Sequence, residues 1–262
     1  MRLPRQSLIP LLTLIVPAIA SVPVRADGFS HQTWTRALSR FVDTRGYVDY
    51  TALAADRADL DRYLQAIETQ GPKSSPALFP TRNDQLAYYL NAYNAQVWKG
   101  VLARGPEKDS VWKGGLISGY SFFVSMKIRV DGQETSLKEL EDDVIRSGFL
   151  DPRVHAALNC ASKGCPRLPQ SAFDGATLDQ QLDAGMREFV AESRNVSVDG
   201  GTVTLSKIFD WFEGDFLAYE KRQGNADPEI VDYVNRYRAE GAKLARDLKV
   251  KYFEYDKSVN AQ

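Results

Sequence analysis

TRNDQLAYYLNAYNAQVWKGV, residues 81–101, is the stretch from which the fold follows. Thr81 and Asp84 form a capping-box pair, whose side chains take up the orphan amide donors of a first helical turn. Behind them Leu86, Leu90, Tyr93, Val97 and Val101 recur at three- and four-residue spacing, one apolar stripe of helical period. A stripe of that length must be covered, so this helix is expected at the centre of the core. Asn91 and Asn94, one turn apart, lie close to the stripe, and amides buried there need hydrogen-bond partners.

Toward the N-terminus, Ser30 is placed to cap a helix that turns Trp34, Leu38, Phe41 and Val42 to one face. Gly46 ends it before a short extended stretch, Tyr47–Tyr50. Leu60, Tyr63, Leu64 and Ile67 mark a second helix, closed by the GPKSSP loop at 71–76. Toward the C-terminus, Phe122–Val130 reads as a strand running into an Asp131-Gly132 hairpin turn. Ser136 with Glu139 is a second capping box, opening a helix of Leu137, Leu140, Val144 and Ile145 that Gly148 and Pro152 terminate. Arg153–Asn159 reads as a short buried strand.

Leu178, Leu182, Met186, Phe189 and Val190 give another amphipathic helix, followed by a hairpin that turns at Asp199-Gly200-Gly201. Asp227 with Pro228 reads as the opening of the last helix, and Lys249–Tyr255 as a final extended segment. Helices outnumber strands, and the strands are joined mostly by hairpins. The expectation is therefore an α+β fold, a single domain over residues 27–262 that is predominantly helical with a small, mostly antiparallel sheet.

Residues 1–26 read as a secretory signal peptide: Arg2 and Arg5 precede an apolar run, Leu8–Ala20, with small residues at the Val24-Arg25-Ala26 site. The run is too short for a transmembrane helix, which needs about 20 apolar residues, and Pro10 and Pro17 interrupt it. Cleavage is expected after Ala26, which leaves a periplasmic or secreted protein without stable membrane insertion. Loss of Arg2, Arg5 and Arg25 takes the formal net charge from −1 to −4. The charges are scattered, without the basic face that binds nucleic acid, and no cofactor is implied.

The chemistry concentrates in His155-Ala-Ala-Leu-Asn159-Cys160-Ala-Ser-Lys-Gly164-Cys165-Pro166, which holds both cysteines of the chain and one of its two histidines. An imidazole can lower a thiol pKa and turn it into a nucleophile. Cys160 as nucleophile and His155 as general base would need an orienting partner, for which Asn91, Asn94 and Glu141 are candidates. Asn94, Asn159 and Trp211 are candidates for substrate contact. On an ideal strand His155 and Cys160, five apart, face opposite sides, so a turn must re-aim Cys160. The alternative is a Cys160–Cys165 disulfide, since an even cysteine count in an oxidising compartment usually means bridges. The two cysteines and His155 supply at most three metal ligands with no second pair, so no metal site is expected.

These blocks have a familiar pattern. LNAYNA at 90–95, SLKELEDDVIR at 136–146 and DPRVHAALNCASKGCP at 151–166 resemble the family called domain of unknown function 547. His31-x-x-Trp34 with Gly46–Tyr50, IFDWFEGDF at 208–216 and the tail from Tyr255 to Asn260 are similar to its remaining blocks. Lys257 departs from the pattern, where Trp is expected after Tyr-Asp, which bears on how the tail packs. The resemblance implies one exported domain of mixed helices and strands, likened in fold to papain-like or transglutaminase-like thiol enzymes, and brings no established reaction. Two functions remain open. One is a periplasmic thiol hydrolase or acyltransferase acting on an amide or peptide-like substrate through Cys160 and His155. The other is a non-catalytic module that binds a small-molecule or peptide-like ligand, with Cys160–Cys165 as a structural bridge and Trp211 at the contact surface.

Overall fold

The long helix takes the central place. A computed structural model of the chain describes residues 28–105, 109–112 and 121–262, so the signal-peptide reading of residues 1–26 lies outside the described residues. Helix α4 (Arg82–Arg104) opens with the Thr81–Asp84 capping box and buries residues on every side, Asn91, Asn94 and Gln96 among them. A helix apolar nearly all round is one enclosed by the rest of the fold. Helices α1 (Gln32–Phe41), α2 (Tyr50–Ala55) and α3 (Ala58–Thr69) cover one flank. Trp34 stacks on Tyr63 of α3 and meets Trp98 of α4 edge-on. The cap of α1 is His31 rather than Ser30, and Tyr50 begins α2, capped by Asp49.

On the other side α5 (Ser121–Ser125) leads into a hairpin of β1 (Lys127–Val130) and β2 (Gln133–Ser136), so the expected strand from Phe122 is helical in its first half. Its turn places both Asp131 and Gly132 at positive φ, which suits the twist of a two-residue hairpin. Short helices α6 (Leu137–Glu139) and α7 (Ser147–Phe149) flank a π-helical segment, Leu140–Arg146. The expected strand Arg153–Asn159 is absent. Pro152 at the first helical position and Asp151, whose carboxylate caps the Arg153 amide, make Pro152–Ala156 a 3-10 helix instead.

A second apolar core gathers Phe189 of α8 (Leu178–Ala191), Phe209 of α9 (Lys207–Trp211), Phe216 of α10 (Glu213–Arg222) and Tyr233 of α11 (Ile230–Arg236). Glu229 caps α11, two residues beyond Asp227. Strands β3 (Val196–Asp199) and β4 (Thr202–Leu205) form the predicted hairpin, and β5 (Lys249–Tyr252) joins β4 in parallel. The architecture is α+β, mostly helical with two small sheets. Among the described residues no helix is long and apolar enough to cross a membrane. The chain between the two cores, residues 152–166, carries the candidate residues.

Candidate active site

Backbone clamps from α4 fix this connecting segment. Asn94 accepts the Asn159 amide (2.9 Å) and donates to the Ala157 carbonyl (3.0 Å). Asn91 does the same for Phe173, accepting at 3.0 Å and donating at 2.8 Å. Asn159 in turn accepts the Ala161 amide and donates to the Pro166 carbonyl. The buried amides anticipated near the stripe are thus spent on the backbone, and none of the three lines the cavity described below. Ala161 is held at φ 60°, a left-handed conformation that a non-glycine residue keeps only where its surroundings over-determine it.

Cys160 and Cys165 are joined in a disulfide with Cα atoms 6.3 Å apart, and no cysteine is free. The C-terminal tail locks the loop from outside: Gly164 donates to Asp256, Lys163 to Ser258, and Asn260 to Ala161. A Cβ at Gly164 would come within 2.7 Å of the Tyr255 ring, so only glycine admits the tyrosine here. Through that gap the Tyr255 hydroxyl lies 3.0 Å from both sulfurs. Lys257 lays its ammonium over the Trp112 ring, and its carbonyl accepts the Ser110 hydroxyl; the tail therefore stays seated without the expected Trp.

Both sulfurs face a cavity of about 470 Å³ between the two cores. His155, Glu141 and Trp211 line it as well, so three separate segments of the chain converge on it. His155 is buried, stacks on Phe212 with ring centroids 4.0 Å apart, and places Nε2 2.8 Å from the Asp215 carboxylate. Arg146 binds the same Asp215 oxygen at 2.8 Å. Burial pushes the His155 pKa down against the opposing pull of Asp215, so the ring is neutral. Burial also works to raise Asp215, but its bonds to His155 and Arg146 outweigh that and hold it well below the usual carboxylate range. An imidazole whose Nε2–H donates to Asp215 keeps Nδ1 as a lone-pair nitrogen. Among the described residues the Cys160 sulfur pairs with Tyr255 and not with His155.

Glu141 comes from the π-helical segment, whose wider turn lets Glu141, Asp142 and Arg146 share the cavity; such segments recur at functional sites. Its carboxylate accepts the Tyr93 hydroxyl at 3.1 Å, and burial lifts its pKa to about 7. Asp142 is paired with Lys138 and Arg146. Trp211, 44% exposed, tilts onto Tyr255 at the rim and faces Trp112. Chemically the cavity offers a masked thiol, a carboxylate-oriented neutral imidazole and a carboxyl group that titrates near neutrality. Among the described residues no group of three or more His, Cys, Asp and Glu is arranged to hold a metal ion.

Sequence reasoning missed Asp215, Tyr93, Tyr255, Arg146 and Trp112. Asp215 lies inside the aromatic block at 208–216, where its acid reads as a surface charge; only the 60-residue return of the chain brings it to His155.

Residues 78–190 match the family described as Protein of unknown function, DUF547. The matched span runs from just before the cap of α4 into α8 and includes Tyr93, Glu141, His155 and both cysteines; the blocks at 31–50, 208–216 and 255–260 lie outside it. No curated protein and no solved structure matches the chain.

Proposed function

For a chain that carries the DUF547 family region over residues 78–190, we propose the function of a thiol-dependent hydrolase or acyltransferase that acts on amide or peptide-like substrates. Cys160 is its nucleophile, masked in the bridged form. One observation carries this reading: Cys160, His155 with Asp215 bonded behind it, and Glu141 converge on one apolar cavity, and such convergence of perturbed titratable groups is the physical signature of a reaction site. Two equivalents of an external thiol reduce the bridge, giving two protein thiols and one disulfide of the reductant. His155 Nδ1 then takes the Cys160 proton, and the thiolate adds to the substrate carbonyl. The C–N bond breaks, and the amine leaves with the proton that His155 returns. Water, or a second nucleophile in acyl transfer, cleaves the thioester.

The reduced protein should turn over acyl esters or peptide anilides from a chromogenic panel, Cys160→Ala should not, and the unreduced protein should be silent. Turnover that survives Cys160→Ala contradicts the reading.

A second reading, the non-catalytic binding module, is favoured by the disulfide itself, which ties the loop beneath Tyr255 and Trp211. It predicts ligand binding in the bridged form and loss of fold, rather than gain of activity, on reduction.

Export belongs to the same proposal, since bridged cysteines persist in oxidising compartments. N-terminal sequencing of the protein recovered from a bacterial periplasm should begin at Asp27; an intact Met1 recovered in the cytoplasm contradicts export.

A further inference from the structure

The cavity is walled by the rings of Trp112, Phe123, Trp211, Phe212 and Tyr255, whose faces carry the negative end of the aromatic quadrupole, and cations of the chain already lie over two of them, Arg146 over Phe212 and Lys257 over Trp112. Of the charged groups among them, Arg146 is paired with Asp142 and Asp215, and Lys138 with Asp142. Glu141 is the exception: among the described residues it makes no ion pair, and its one hydrogen bond comes from the neutral Tyr93 hydroxyl. A carboxylate taken out of water is costly unless a cation meets it. Aromatic faces beside an unpaired carboxylate are the surroundings in which ammonium groups are recognised.

From this we infer that the cavity selects a ligand bearing a cationic amine, with the ammonium seated against Glu141 and the attached apolar part between the Trp and Tyr rings. The inference takes from the proposed function only that this cavity is the working site, and it gives the amide or peptide-like substrate a basic group beside the reacting carbonyl. The raised pKa of Glu141 accords with it, because burial is there the leading cause and outweighs the opposing Tyr93 hydrogen bond and the pull of Arg146 and Lys138.

The test uses the bridged full chain and three probes of one shape: 4-phenylbutylamine, the neutral 4-phenylbutanol and the anionic 4-phenylbutyrate. Binding is read at pH 8.5 by tryptophan fluorescence, since Trp112 and Trp211 line the cavity while Trp34 and Trp98 are fully buried in the core. The amine is expected to bind at least tenfold more tightly than the alcohol, and the carboxylate more weakly than both. Glu141→Gln should abolish the tenfold preference and leave the alcohol's affinity unchanged, which also shows that the variant retains its cavity. Equal binding of amine and alcohol, a preference that survives Glu141→Gln, or no binding of any probe overturns the inference. Since no step uses a free thiol, amine selection with a silent Cys160 would sink the thiol-enzyme reading alone, and a reactive Cys160 without amine selection would sink this inference alone.

Discussion

His155→Ala should slow thioester formation at reduced Cys160 by about 10²- to 10⁴-fold, the range over which a positioned general base contributes. The imidazole is the neutral base of the cavity, held by the Asp215 carboxylate at 2.8 Å and by the Phe212 ring against its face. Removing it leaves the thiol with its own pKa near 8.5, so the loss should shrink as pH rises and the thiolate forms unaided. Asp215→Asn should give a smaller loss of the same sign, because an amide no longer favours the tautomer with Nδ1 free. The measurement is the pH profile of single-turnover acylation by a peptide ester in wild type and both variants. Equal rates at pH 7 would remove His155 from the mechanism.

Glu141→Gln should make the protein more stable at pH 8 by about 3 kcal/mol, on the basis that one pKa unit corresponds to about 1.4 kcal/mol. The folded carboxyl titrates at about 7 against an ordinary 4.5. Below pH 4.5 both states hold the proton and the contribution is fully present. Between 4.5 and 7 the unfolded chain releases the proton while the folded one keeps it, so stability falls as pH rises, and above 7 the loss is complete. Buried neutral histidines act in the opposite sense below pH 6.5: the His31 pKa is lowered to about 4 by burial, and that of His155 is lowered as well. The difference between wild type and variant isolates Glu141. Denaturant unfolding from pH 4 to 8 should show the two converging at pH 4 and separating toward pH 7; parallel curves contradict the burial of this carboxyl.

Local features were legible where their cause was local. The Thr81–Asp84 and Ser136–Glu139 capping boxes and the turns at 131–132 and 199–201 depend on neighbours within four residues, and they are where their spacing places them. Arg153–Asn159 reads as a strand because its apolar content suits one, whereas the Asp151-Pro152 start favours the tight helical turn that forms. The π-helical register of Leu140–Arg146 leaves no mark in a pattern of Leu and Ile that an α-helix would share.

The site was legible in half. His155, Cys160, Glu141 and Trp211 meet in the cavity, because the chemical types that stand out in sequence are also those that face it. Asn91, Asn94 and Asn159 stand out equally but are consumed in holding backbone, a use that spacing cannot tell from ligand contact. Asp215 and Tyr255 reach the site over 60 and 95 residues of intervening chain, respectively, and no local period encodes such a meeting.

The most direct test of the central claim is a mass map of the chain after exposure to a peptidyl vinyl sulfone, with and without prior reduction. Cys160, half-buried on the cavity wall, should carry a single adduct only in the reduced sample, while Cys165, less exposed on the same wall, stays unmodified. An unmodified Cys160 after verified reduction, or an adduct on Cys165 instead, contradicts the assignment of Cys160 as nucleophile.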